Sequence, residues 1–112
     1  DLTQQLELHI DHIREGRTDE DLLAEILLKS GFPLSTKWET VDLADNKVFS
    51  IAGGAMLVCL ERDLTLEGIR AMAALKPERV VCLDDGFAGN DQLKANAVKI
   101  FEANEVVKFQ TV

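Results

Sequence analysis

Two short apolar runs, "MLVCLE" ending at Glu61 and "RVVCLD" ending at Asp84, each lead through a loop into a helical pattern. A third β-rich run, "VVKFQTV", closes the series. The full alternation is "MLVCL", "LTLEGIRAMAALK", "RVVCL", "NDQLKANAVKIFEAN", "VVKFQTV", and it contains an internal echo: Val58 to Glu61 recurs as Val81 to Asp84. A strand-helix-strand-helix-strand order admits few architectures, because right-handed crossovers set such strands parallel in one sheet. The central runs are apolar on both faces, as parallel strands covered on both sides must be. The last run alternates, with Lys108 and Gln110 opposed to Val107 and Phe109, which places it nearer an edge. Thr65 and Asn90 are expected N-caps. Leu66, Ile69, Met72 and Ala73 supply the inward face of the first helix, which Pro77 ends. Leu93, Ala97, Ile100 and Phe101 supply that of the second.

Ahead of this unit, "PLSTKWETVDLAD" reads as a connection followed by a strand over Glu39 to Leu43, and it holds the only tryptophan, Trp38. Asp45 and Asn46 supply a turn. "KVFSIAGG" and "AMLVCLE" are then two antiparallel strands joined at Gly53 and Gly54. Further upstream, Leu2, Leu6, Ile10 and Ile13 are spaced 4, 4 and 3, a narrow stripe on a helix that needs either the next helix or another chain as partner. These four residues are the interface candidates. "REGRT" breaks that helix, and Thr18 caps the next, with Asp19, Glu20 and Asp21 favourable to its dipole. Leu22, Leu23, Ile26 and Leu27 form its buried face, and Gly31 and Pro33 stop it. The expected fold class is α/β: N-terminal helices over residues 1–33, then an α/β section over 34–112. Its small mixed sheet is an antiparallel hairpin followed by parallel β-α-β-α-β, in one compact domain overall. The chain opens on Asp1 and enters regular structure at once, so a segment of a longer protein is expected.

Charge narrows the function classes. Twelve basic against twenty acidic residues give a net charge of −8, a poor surface for a polyanion whose binding rests on Lys and Arg neutralising phosphates. Direct DNA binding by this chain is not expected. The acidity is concentrated in residues 1–45, with 11 acids and 4 bases, against 9 and 8 in residues 46–112. No apolar run is long enough for a membrane span and no signal peptide is present, so the expected location is cytoplasmic. Cys59 and Cys82 sit inside apolar strands, where an intracellular protein keeps inert thiols.

Three carboxylates carry the sharpest chemical reading. Glu61, Asp84 and Asp85 fall at the carboxyl ends of parallel strands, where open sheets bind ligands and where carboxylate oxygens suit a divalent cation. A small metal-dependent α/β enzyme is the alternative this supports. A phosphoryl-transfer site would also need a basic or hydroxyl partner, and the third strand ends in Gln110, Thr111 and Val112. The structural reading gives every residue work: the acids solubilise a strand exit or cap amides, Gly86 and Gly89 permit turns, and Asn90 caps a helix. "GFAGND" lacks the GxGxxG spacing and no P-loop lysine follows. His9 and His12 share a helical face without a third ligand nearby. No nucleophile elbow is present.

"LLKSGFPL" (Leu27–Leu34), "VFSIAGGAMLVCLE" (Val48–Glu61), "LKPERVVCLDDGFAGNDQLKANAV" (Leu75–Val98) and the terminal "VVKFQTV" closely resemble the C-terminal region of the modification subunit of type III restriction-modification systems. The likeness runs from about Leu22 onward. It implies that the parent subunit is an adenine-specific DNA methyltransferase that uses S-adenosylmethionine, dimerises, and assembles with a restriction subunit. The family's DPPY-like catalytic motif and glycine-rich cofactor motif are absent from this chain, so the resemblance assigns no catalytic, cofactor-binding or metal residue here. The implied role is a non-catalytic assembly domain. Its partners would be the rest of the methyltransferase subunit, a homodimer mate and the restriction subunit.

Overall fold

A computed structural model describes residues 6–7, 19–33, 35–44, 46–87 and 89–112, giving the backbone alone for 6, 7 and 85. The strands are β1 (Leu6–Glu7), β2 (Trp38–Leu43), β3 (Asn46–Ile51), β4 (Met56–Cys59), β5 (Arg79–Cys82) and β6 (Lys108–Thr111). The helices are α1 (Asp19–Lys29), α2 (Leu66–Ala74) and α3 (Asp91–Ala103). The sheet order is β1-β6-β5-β4-β3-β2. The β2-β3 and β3-β4 pairs are antiparallel, whereas β4-β5, β5-β6 and β6-β1 are parallel. This is the mixed α/β sheet that the alternation of patterns predicts.

The period-two alternation of β4 and β5 divides the core. Leu57, Cys59, Val80 and Cys82 turn to one face and pack with Ile69, Met72 and Ala73 of α2 and with Ala97 and Phe101 of α3. Met56, Val58, Val81 and Leu83 turn to the other, where Leu22, Leu23, Ile26 and Leu27 of α1 cover them together with Phe49 and Ile51. Both crossover helices therefore lie on one side, as two crossovers of the same hand require. Residues 19–29 are the opposing layer of the same sheet.

The helix termini follow the sequence signals. Thr65 Oγ1 accepts from the Gly68 amide at 3.0 Å, and Asn90 Oδ1 accepts from the Leu93 amide at 3.0 Å. Gly31 closes α1 at φ 86°. The Phe32 amide reaches back to the Leu27 carbonyl at 2.8 Å and the Gly31 amide to that of Leu28 at 3.2 Å. This Schellman geometry folds Phe32 onto the core beneath α1. From β5, Arg79 Nη1 donates to the Ser30 carbonyl at 2.8 Å while its guanidinium lies 5.5 Å from the Phe32 ring centroid. The carbonyl end of α1 is thus clasped by a cation.

Two expectations are corrected. Leu6 and Glu7 are not helical: they pair in parallel with Gln110 and Thr111. The sequence offers the reason, since Leu6, Leu8 and Ile10 alternate with Glu7 and His9, a period-two pattern that competes with the helical stripe. Leu2, Ile10 and Ile13, like His9, His12 and Thr18, lie outside the described residues. β6 lies second from the edge of the sheet, as its alternation predicts, with β1 beyond it and Gln110 7 % exposed. The first hairpin turns at Ala44, φ 49°, with Leu43 opposite Asn46, so Asn46 opens β3 rather than forming the turn.

Asn46 has a further duty. It is 5 % exposed, and its Nδ2 donates to the Asp63 carbonyl at 3.3 Å while its Oδ1 accepts from Thr65 Oγ1 at 3.3 Å. The antiparallel half of the sheet is thereby tied to the loop that opens the parallel half. Gly68 leaves the room this requires, because a Cβ there would run into the Asn46 amide.

Candidate functional site

The carboxyl ends of β4, β5 and β6 gather Glu61, the turn Asp84–Phe87 and Val112. Backbone pairing continues past the strands: Leu83 N–H donates to the Cys59 carbonyl at 3.0 Å, Asp84 N–H to that of Val112 at 2.8 Å, and Val112 N–H to that of Cys82 at 2.9 Å. The strand exits are closed by their own amides. Glu61 Oε1 accepts from the Lys47 amide at 2.8 Å and so holds the start of β3 beside the end of β4. Asp84 Oδ1 pairs with Lys94 Nζ of α3 at 2.7 Å, both side chains being partly exposed. Of Asp85 the backbone places it in the turn, and its side chain is not among those described. Among the described residues no group of three or more His, Cys, Asp or Glu side chains is placed to hold a metal ion.

The glycines of "DDGFAGND" have separate reasons. Gly89, at φ 74°, turns the chain into α3. Gly86 is there for close approach: a Cβ on it would lie 2.5 Å from the Glu61 carbonyl oxygen and 2.8 Å from Leu64 Cδ1. Its own carbonyl accepts from the Leu64 amide at 2.9 Å. The two loops at the carboxyl end of the sheet therefore pack backbone against backbone. Sequence reading assigns Gly86 to turn formation and misses this contact, which leaves no mark in a single sequence.

Cys59 and Cys82 are directly opposite one another on β4 and β5, free and buried. Burial pushes the Cys59 thiol up to about 11 from an ordinary 9.0, with the Lys47 carbonyl 3.7 Å from its Sγ. Burial also raises the Cys82 thiol well above 9.0, with Cys59 beside it adding to the effect. These are protonated core thiols and poor nucleophiles. As pH rises past 9.0 the thiols of the unfolded chain ionise first, because the folded ones hold their protons to higher pH. The stabilisation is complete below pH 9.0 and is lost from there until the folded Cys59 ionises at about 11. Urea unfolding should thus show stability falling above pH 9.0, by up to roughly 1.4 kcal/mol per pH unit per thiol. A Cys82→Ala chain should lose part of that slope. An unchanged slope would mean the thiols are not buried as described.

A cleft lies at the other end of the sheet. Lys37, Trp38, Glu39, Ser50 and Gly53 line an open cleft of about 310 Å³ beside β2. Trp38 is 42 % exposed and meets Phe49 edge-on, with ring centroids 5.4 Å apart. Among the described residues no helix is long and apolar enough to cross a membrane. Comparison with protein-family models and with curated proteins gives no match for the chain.

Proposed function

We propose that the chain is a non-catalytic assembly domain, and that its parent is the modification subunit of a type III restriction-modification system, whose C-terminal region the sequence resembles. The observation that carries the first part is the use of the carboxylates at the sheet's carboxyl end. Glu61 anchors β3 and Asp84 anchors α3, so both work inside the fold. The same cytoplasmic parent would supply adenine methylation and S-adenosylmethionine binding from its other regions. Its homodimer mate and its restriction subunit are the partners this domain would serve. With a net charge of −8, the domain would leave DNA contacts to the rest of the parent.

The test is reconstitution. A type III modification subunit truncated before its C-terminal region, co-expressed with this chain, should regain its dimer mass and its association with the restriction subunit. Failure of the wild-type chain to join the truncated subunit sinks the type III reading.

The alternative, a metal-dependent enzyme acting through Glu61, Asp84 and Asp85, makes the opposite prediction about cations. Millimolar magnesium should leave the melting temperature of the chain unchanged, whereas a native-state metal site would raise it by linkage. Asp84→Ala should cost about 0.2–1 kcal/mol, the usual range for a partly exposed ion pair. A magnesium-dependent shift that Asp84→Ala abolishes would reverse the choice between the two readings.

A further inference from the structure

The free edge of β2 has a definite hydrogen-bonding phase. Trp38 to Leu43 pair with Ile51 to Asn46 without a bulge, and the ladder extends one step further, where Ala52 N–H donates to the Lys37 carbonyl at 2.9 Å. In an antiparallel ladder the residues that exchange hydrogen bonds alternate with those that do not. Glu39, Val41 and Leu43 therefore spend their amides and carbonyls on β3, as Lys37 does its carbonyl. Those of Trp38, Thr40 and Asp42 point away from the sheet, and among the described residues no strand lies beyond them. The edge has neither proline nor bulge, which are common means of blunting such strands.

This edge is self-complementary. A two-fold axis through Thr40, perpendicular to the sheet, sets Thr40 opposite its own copy and Trp38 opposite Asp42, so that every outward-pointing residue finds a partner. The same register sets Glu39 opposite Val41, and no acid directly faces an acid. The competing two-folds are worse. Centring on Glu39 or on Asp42 opposes identical carboxylates, which destabilises a pair. Centring on Val41 puts Trp38 against Ala44, which has already turned away at φ 49°. Centring on Trp38 leaves Asp42 unpaired.

We propose that β2 is an interaction surface for a second copy of this chain, joined antiparallel about Thr40 to give one continuous sheet through both molecules. This deepens the assembly reading by naming a surface, yet it rests on the strand's own geometry and survives without the type III parentage. The nearest acids across the junction are the two Glu39 side chains on the diagonal, about 7–8 Å apart. Salt screens them and the net negative charge of both copies, so added salt tightens the dimer.

The experiment is mass measurement by sedimentation across a concentration series, with Trp38, the only tryptophan, as an optical reporter of the junction. The wild-type chain should reach dimer mass, with a blue shift of its emission over the same concentration range. Thr40→Pro removes a donor that points out of the fold, so the chain should stay folded by circular dichroism and become monomeric. Thr40→Lys sets two ammonium groups opposite each other, should weaken association at least tenfold, and should regain part of it in high salt. A wild-type chain that stays monomeric at every concentration overturns the proposal. So does a dimer indifferent to both substitutions, or a partner complex in which a strand of another protein occupies β2. Reconstitution separates this from the preceding reading: a Thr40→Pro chain that still joins the truncated subunit leaves assembly standing, whereas a β2 dimer that joins nothing removes assembly and leaves the edge.

Discussion

Phe101→Ala is expected to cost the domain a large share of its stability. Phe101 of α3 is fully buried, its ring centroid is 4.9 Å from that of Phe109 on β6, and its cluster includes Phe87 of the turn that follows β5 and Met72 of α2. The side chain thus joins both crossover helices to the parallel strands. Truncating a buried phenylalanine removes its transfer free energy and leaves a cavity that rigid neighbours cannot fill, at a cost of about 3–5 kcal/mol. A domain of this size has on the order of 5–15 kcal/mol in total. Equilibrium denaturation of the variant should show either no folded baseline or a midpoint far below that of the wild type. A loss under about 1.5 kcal/mol would mean that the ring does not sit at the centre of that face.

Gly86→Ala is the second large effect, and its value lies in the contrast with Gly89→Ala. At Gly86 the new methyl meets the Glu61 carbonyl, an atom that cannot move without shifting the exit of β4, and Leu64 on its other side. Overpacking of this kind costs about 1–3 kcal/mol, and contact with backbone places it at the upper end. Gly89 has open space around its missing Cβ and a positive φ, so alanine there carries only the left-handed penalty, about 1–2 kcal/mol. Urea midpoints should rank wild type above Gly89→Ala above Gly86→Ala. The reverse ranking would show that the two loops do not touch as described.

Much of the fold was legible because local chemistry and global pattern agree along Met56 to Thr111. The repeated "VCL" runs had nowhere to go but a sheet covered on both sides, and Thr65, Asn90 and Gly31 marked helix ends through backbone groups that any helix must satisfy. Leu6 was not legible as a strand, since a few leucines and isoleucines fit both periods and only pairing with Gln110 and Thr111 decides between them. Nor was the work of Asn46, which reads as a turn residue in the sequence and acts through Asp63 and Thr65, far along the chain. For the candidate site, the sequence placed Glu61 and Asp84 at the correct end of the sheet. It did not reveal that a backbone amide and a lysine were already waiting for them. Hydrogen-bond phase at β2 is likewise invisible to side-chain patterning, because it belongs to the backbone.

The two faces of the sheet differ in how they are roofed. α2 and α3 share one, each tethered by a short crossover, while among the described residues α1 alone shields Phe49, Ile51, Met56, Val58 and Val81 on the other. A brief detachment of this single eleven-residue helix bares a contiguous oily surface while the rest of the sheet stays formed. Partial opening of that sort is less costly than global unfolding, and it creates a species that sticks to its own kind. The Arg79 clasp on Ser30 and Phe32 is then more than a decoration of a helix terminus. It is the bolt on a hatch, and Arg79→Ala should shorten the time a concentrated solution of this protein stays clear, as light scattering would record.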